Sequence, residues 1–114
     1  MPTWIIKATN RYEKDYKDYE KKRPNELIAV LNNLDTYCNA LMKLGHPLQI
    51  KAGFIHHEPK GIKAIDQKGG KQKVKLEQTR LYMYPDCENK ILRLLTIGNK
   101  SSQKRDIKHC LDNI

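Results

Sequence analysis

Two segments in the second half of the chain decide the fold: Thr79-Arg80-Leu81-Tyr82-Met83-Tyr84 and Ile91-Leu92-Arg93-Leu94-Leu95-Thr96-Ile97-Gly98-Asn99-Lys100. The first segment alternates cationic or aromatic with aliphatic side chains, which is typical of a strand whose two faces meet different surroundings. The second is almost continuously apolar up to Ile97, which predicts a central strand that is buried on both faces. The turn residues 85–89 between them predict an antiparallel connection.

The segments that precede these two strands complete an α+β pattern. Residues 4–8 and 61–66 predict two more strands, while residues 46–60 are rich in turn residues and predict an irregular segment. Residues 10–23 and 25–44 predict a helical hairpin that ends at Gly45, and a last helix follows Ser101 or Ser102. The predicted order is therefore β-α-α-β-β-β-α, with an antiparallel sheet and the helical hairpin packed on one face.

Composition describes a single basic domain that covers residues 1–114. The chain has 22 Lys+Arg and 13 Asp+Glu, a formal net charge of +9. Residues 58–114 hold 13 of the basic and 7 of the acidic groups, so most of the excess lies in the second half. This balance indicates either a polyanionic partner or simply a soluble surface. No apolar run approaches the ~20 residues of a membrane helix, and no secretory signal is apparent, so we expect a cytoplasmic protein without a membrane partner.

Familiar cofactor and nucleophile motifs are missing from the sequence. It contains no P-loop, HExxH, GxSxG or dinucleotide fingerprint, so we expect no cofactor. The adjacent pair His56-His57 is interpreted as part of a solvated loop, with RNA contact or a metal site as the less favoured readings, and we expect no metal. Cys38, Cys87 and Cys110 lack CxxC spacing and are interpreted as buried, reduced thiols.

Three cations stand where strands could bring them together. Arg80 shares one face of its strand with Tyr82 and Tyr84, Lys63 lies on the preceding strand, and Lys100 follows the last one. An antiparallel meander can place all three on one open face of the sheet. This face is either a solvated surface with scattered charges or a phosphate-binding groove. In the second case an RNA 2′-hydroxyl would be deprotonated, the phosphorane stabilised by Arg80 and the leaving 5′-oxygen protonated.

The chain resembles the RelE/ParE superfamily of bacterial toxins, on the RelE/HigB-like side. The resemblance is carried by residues 60–66, 79–84, 91–100 and 102–105, and by the order of elements across the whole chain. It implies a RelE-like microbial RNase fold and a toxin of a type II toxin–antitoxin system. It further implies metal-independent, ribosome-dependent cleavage of mRNA, which arrests translation, and inhibition by a cognate antitoxin protein.

The resemblance also suggests roles for single residues. Lys63 matches a strand lysine that acts as base or on the scissile phosphate, Arg80 matches the phosphate-stabilising arginine, and Lys100 a second basic residue after the glycine. His109 is a candidate acid, base or stacking group near the chain end, and the general acid is unassigned. The predicted RNA-binding surface consists of Lys60, Lys71, Lys73, Lys75, Tyr82, Lys104 and Arg105. The alternative is a non-catalytic, ParE-like inhibitor of a protein target such as gyrase, or an RNA- or DNA-binding module of the same fold.

Overall fold

A mixed five-stranded sheet organises the computed structural model, which describes residues 4–69 and 75–114. The strands are β1 (Ile5–Ala8), β2 (Ile55–His57), β3 (Lys63–Asp66), β4 (Thr79–Asp86) and β5 (Ile91–Asn99). The helices are α1 (Asn10–Lys22), α2 (Pro24–Leu44) and α3 (Gln103–Asp112), and short 3₁₀ turns cover Pro47–Gln49, Pro59–Gly61 and Lys100–Ser102. The predicted α+β class is confirmed.

The sheet differs from the predicted meander in two respects. Its order is β1-β5-β4-β3-β2, and β1 pairs with β5 in parallel, so the sheet is not purely antiparallel. In addition, β2 lies within the segment predicted to be irregular and pairs with β3 at the edge of the sheet. A strand of three residues is too short to show an alternating pattern, and the turn residues on both sides of it hide it further. The prediction for β5 is correct, since it lies between β1 and β4 and is buried along most of its length.

The helical hairpin covers one face of the sheet, as predicted. Side chains of α2 spaced by three and four residues, such as Leu27, Val30 and Leu34, pack with Leu81 and Met83 of β4 in the main hydrophobic core. Tyr12 of α1 is buried, and Tyr16 and Tyr19 pack against the same core. These three tyrosines of α1 therefore contribute to core packing.

Helix α3 covers part of the opposite face, which corrects the prediction that this face is open. Ile62, Ala64, Tyr82 and Leu95 form a second apolar cluster with Cys110 of α3. Tyr82 is 0% exposed, so it cannot belong to the RNA-binding surface to which it was assigned from the sequence. Alternation correctly separates Tyr82 from its neighbours on β4, but it does not reveal which helix covers its face.

Local signals at the helix ends explain how the chain changes direction. The Thr9 hydroxyl accepts a hydrogen bond from the Tyr12 N–H (3.1 Å), so Thr9 caps α1. Gly45 ends α2 as predicted, in the left-handed conformation with φ 82°. Among residues 4–69 and 75–114, no strand pairs with the β1 edge of β5 beyond Ala8, and Asp15 of α1 accepts the Ile97 N–H there (3.1 Å). A side-chain carboxylate thus completes the hydrogen bonding that β1 leaves unfinished.

Two further findings concern the thiols and the membrane. Cys110 is buried and Cys38 is half-buried, but Cys87 is exposed, so the interpretation of three buried thiols is wrong at Cys87. No helix in residues 4–69 and 75–114 is long and apolar enough to cross a membrane.

Candidate phosphate-binding site

Four polar side chains gather on the α3 side of the sheet, above β3. Arg80 lies directly opposite Asp66, and His56 lies directly opposite Ala64, two residues before Asp66. Opposed residues, and residues two apart in a strand, share a face of the sheet. His56, Asp66, Arg80 and Glu58, which follows β2 and contacts Arg80, are called the β3 polar cluster below.

The Arg80 guanidinium extends across β3 to reach Glu58. Arg80 lies on β4 and Glu58 follows β2, and these two strands flank β3. Nη1 of Arg80 nevertheless lies 3.5 Å from Oε1 of Glu58. Only 15% of the Arg80 side chain and 13% of the Glu58 side chain are exposed. The separation is at the long end for an ion pair with hydrogen-bonding geometry, so most of the donors of the guanidinium fork stay available.

Two buried polar atoms beside this ion pair have no hydrogen-bond partner among the described residues. They are Nε of Arg80 and the hydroxyl of Tyr82. Burial raises the pKa of Tyr82, and the nearby Asp106 carboxylate raises it further, so the phenol is neutral at physiological pH. A buried donor without an acceptor is costly, and an anion bound to Arg80 would supply the missing acceptor. Because Nε and the phenol are themselves buried, an anion would approach Arg80 through the 15% of its side chain that is exposed.

His56 and Asp66 form a close pair within the same cluster. Nε2 of His56 lies 2.6 Å from Oδ2 of Asp66, and Oδ1 of Asp66 accepts the Lys68 N–H at 2.7 Å. The Asp66 side chain is only 2% exposed, whereas the His56 ring is 30% exposed. Among the described residues no hydrogen bond engages Nδ1 of His56. The ring is therefore held at one nitrogen and free at the other.

Lys63 lies on the other side of the sheet from Arg80. It is opposed to Met83, whose side chain packs in the core of the helical hairpin, and to His57 of β2. Its Nζ lies 2.7 Å from Nδ1 of His57 at the protein surface. The structure therefore does not bring Lys63 together with Arg80, contrary to the prediction of one shared face.

Lys100 lies at the end of the sheet where β4 begins. Thr79 is opposed to Asn99 and Arg80 to Gly98, so Lys100 follows directly after the residues that pair with the start of β4. An open groove of about 780 Å³ is lined there by Lys75–Gln78 and by residues 99–101. Two of the predicted cations, Lys75 and Lys100, thus share one groove beside the strand positions of Arg80 and Gly98.

The remaining predicted residues are dispersed. Lys60, Lys104 and Arg105 are exposed, the first in a turn before β3 and the others in the first turn of α3. His109 lies in the last turn of α3, where its Nδ1 is 3.4 Å from the amide of Asn113. Lys71 and Lys73 lie outside the described residues.

Asp106 is a buried acid that the sequence did not single out. It is 3% exposed, packs against Gly98 and accepts a hydrogen bond from the Ser102 hydroxyl (2.6 Å). Burial raises the pKa of the Asp106 carboxyl above its usual range, while the hydrogen bond from Ser102 and the charge of Arg105 oppose this shift. Its position ties the start of α3 to the end of β5.

Sequence reasoning also missed Glu58, Asp66 and the role of His56 in a cluster. The pair His56-His57 was visible, but its meaning depends on β2, which carries the two rings to opposite sides of the sheet. Within residues 4–69 and 75–114 the structure contains no group of three His, Cys, Asp or Glu side chains placed to hold a metal ion.

Comparison with known proteins identifies the fold. No family model matches the chain, and no curated protein matches it. A solved structure of E. coli toxin RelE, a mutant with two arginines replaced by alanine in the free state, superposes with a TM-score of 0.58. The alignment covers 99% of both chains at 10% sequence identity. The chain therefore has a RelE-like fold, and the resemblance noted in the sequence is confirmed at the level of the fold.

Proposed function

We propose that this protein is the toxin of a type II toxin–antitoxin system, and that it arrests translation by cutting mRNA on the ribosome. One observation carries the proposal. On a sheet with a RelE-like fold, the Arg80 guanidinium is partly exposed, contacts Glu58 at a long distance and has an unpartnered buried Nε. A guanidinium in this state is suited to fork onto a phosphodiester.

The reaction that fits these groups is transesterification by the RNA itself. The 2′-hydroxyl attacks the adjacent phosphate, Arg80 stabilises the charge that develops on the phosphorane, and the 5′-oxygen leaves. Lys75 and Lys100 hold a neighbouring phosphate in their groove. The cleavage needs no metal and no cofactor, because the charge stabilisation comes from side chains.

The other exposed cations suit a large RNA partner. Lys60, Lys104 and Arg105 are exposed on the described surface, and Lys71 and Lys73 add to the positive charge of the same half of the chain. A net charge of +9 favours association with ribosomal RNA. In this proposal the protein works in the cytoplasm, with ribosomes and mRNA as targets and an antitoxin protein as its inhibitor.

The test is inducible expression of the full chain, followed by toeprinting of mRNA on translating ribosomes. We expect growth arrest and new 5′ ends within the ribosomal A site, and both should disappear with Arg80→Ala. Lys14→Ala, which removes an exposed cation of α1, is the matched control and should behave like the parent.

Two results would count against the proposal in different ways. Arrest without any mRNA cleavage would identify a non-catalytic inhibitor of the same fold. Cleavage that persists at the parental rate in Arg80→Ala would show that the RNA is cut at a different site.

A further inference from the structure

We propose that His56 is the catalytic base of the RNA cleavage, and that Asp66 positions its ring. This inference rests on the proposed function and names a proton acceptor for the same site. Its basis is the juxtaposition of a half-exposed imidazole, a buried carboxylate and an arginine on one face of the sheet.

Strand pairing places the imidazole and the guanidinium on the same face of the sheet, on the two strands that flank β3. Asp66 of β3 is opposed to Arg80 on one neighbouring strand, β4. Its carboxylate is hydrogen-bonded to His56 on the other neighbouring strand, β2 (2.6 Å). Because Arg80 crosses β3 to contact Glu58, its guanidinium passes over the strand that separates it from His56.

The hydrogen bond to Asp66 selects the tautomer of the neutral ring. An ionised carboxylate only accepts hydrogen bonds, so it holds a neutral imidazole in the tautomer that carries its proton on Nε2. The lone pair then lies on Nδ1, which no other described group engages, and the ring has access to solvent. A base oriented by a buried carboxylate is a recurring arrangement in enzymes.

The proton and electron balance of the step is complete. Nδ1 of His56 accepts the proton of the 2′-hydroxyl while the 2′-oxygen forms a bond to phosphorus. The bond between phosphorus and the 5′-oxygen breaks, and that oxygen takes a proton from a water molecule. The imidazolium then returns its proton to the hydroxide left in solution. The products are a 2′,3′-cyclic phosphate and a 5′-hydroxyl end.

The lysines of the chain are less suited to this task. A solvated lysine is protonated at neutral pH and cannot accept a proton. Lys63 lies on the other side of the sheet, and Lys100 is exposed.

The test is single-turnover cleavage of ribosome-bound mRNA by the full chain and two matched variants. His56→Ala should lower the rate constant by about 10²- to 10⁴-fold, the usual share of a general base, and added imidazole should restore part of it. His57→Ala removes the adjacent ring, which points to the other side of the sheet, and should cleave at the parental rate.

Asp66 is tested through its dependence on His56. Asp66→Asn should lower the rate constant but not the affinity for ribosomes, and it should have no further effect in a His56→Ala background. An equal loss in both backgrounds would show that Asp66 acts on folding or on Arg80 and does not act through the ring.

The remaining outcomes separate this inference from the proposed function. Parental cleavage by His56→Ala, or a loss that imidazole does not restore, would overturn the assignment while Arg80→Ala still reports on the phosphate site. If the parent chain cuts no RNA at all, the proposed function fails, and the assignment of a base fails with it.

Discussion

At the scale of single residues, the side of the sheet on which a cation lies decides what it can do. Arg80 lies in the β3 polar cluster, whereas Lys63 contacts His57 on the opposite side. We therefore expect Arg80→Gln to slow mRNA cleavage by about 10²- to 10³-fold, the range found when one donor to a developing oxyanion is lost. Because Lys63 lies away from the phosphate site, Lys63→Gln should change the rate constant by less than about threefold, since it removes no donor to the oxyanion. The single-turnover cleavage assay measures both variants. Equal losses in the two variants would instead support the three-cation site predicted from the sequence.

The sequence predicted the importance of Arg80 but not its companions, and the reason is register. Period-two alternation shows which residues of one strand share a face, but the pairing of two strands depends on the turn between them. Residues 67–78 separate β3 from β4, and the glycine-bearing turn predicted at residues 68–71 lies in a connection too long to set their register. Lys63 was therefore assigned to the face of Arg80, whereas Asp66 is the residue opposed to it.

The three cysteines differ in burial, and their thiols should therefore differ in reactivity. Burial raises the pKa of Cys38 to about 11, with Asp35 adding to the shift, and raises that of Cys110 to about 12, with Asp106 and Glu58 adding to it. Both thiols are therefore protonated at pH 8, where the thiolate is the reactive form. Titration of the folded chain with a disulfide reagent should show one fast thiol, Cys87, and two slow ones. Cys87→Ser should abolish the fast phase, and a fast phase that survives in this variant would contradict the burial of the other two.

At the scale of elements, the docking of α3 depends on the absence of a side chain at Gly98. A Cβ added there would lie 1.8 Å from the Asp106 carboxylate and 2.6 Å from the Ser102 hydroxyl. Gly98→Ala should therefore lower the free energy of unfolding by about 1–3 kcal/mol, the usual cost of overpacking. Denaturant unfolding measures it, and Gly53→Ala is the matched control because nothing lies within 4 Å of its added Cβ. Equal stability of the two variants would show that α3 can shift freely on β5.

The buried acid at the same junction makes the docking of α3 sensitive to pH. Burial raises the pKa of Asp106 in the folded chain, so the folded state holds this proton more tightly than the unfolded state does. Its contribution to stability is full below the ordinary carboxyl pKa of 3.8 and is lost as pH rises through the folded value. We expect Asp106→Asn, which can still accept from Ser102, to melt at a higher temperature than the parent at pH 7. The difference should shrink towards acid pH, and a difference independent of pH would assign the effect to packing.

Long elements could be recognised from the sequence, whereas short ones could not. The hairpin of α1 and α2 and the buried β5 have long, regular patterns, and both were predicted correctly. β2 and the parallel pairing of β1 were missed, because short strands carry little pattern and parallel partners are far apart in sequence. The cover that α3 provides was also missed, since its apolar face has only a few residues, mainly Ile107, Cys110 and Leu111.

At the scale of the whole molecule, the question is whether the charge of +9 acts as a diffuse field or through defined contacts. The groove that holds Lys75 and Lys100 distinguishes the two cases. If each lysine contacts one phosphate, the double variant Lys75→Gln/Lys100→Gln should flatten the plot of log affinity for single-stranded RNA against log salt. The slope should fall by about 1.4, because each lost contact removes about 0.7.

The matched control removes the same net charge from a different surface. Lys14 and Lys21 are exposed on α1, and Lys14→Gln/Lys21→Gln lowers the charge from +9 to +7, as the groove variant does. A diffuse field would make the two double variants equivalent, since it depends mainly on total charge. Contacts in the groove would change the salt slope only in the first variant. Fluorescence anisotropy of a labelled RNA between about 50 and 200 mM salt makes the comparison, and equal slopes in both variants would exclude the groove as the place where RNA phosphates bind.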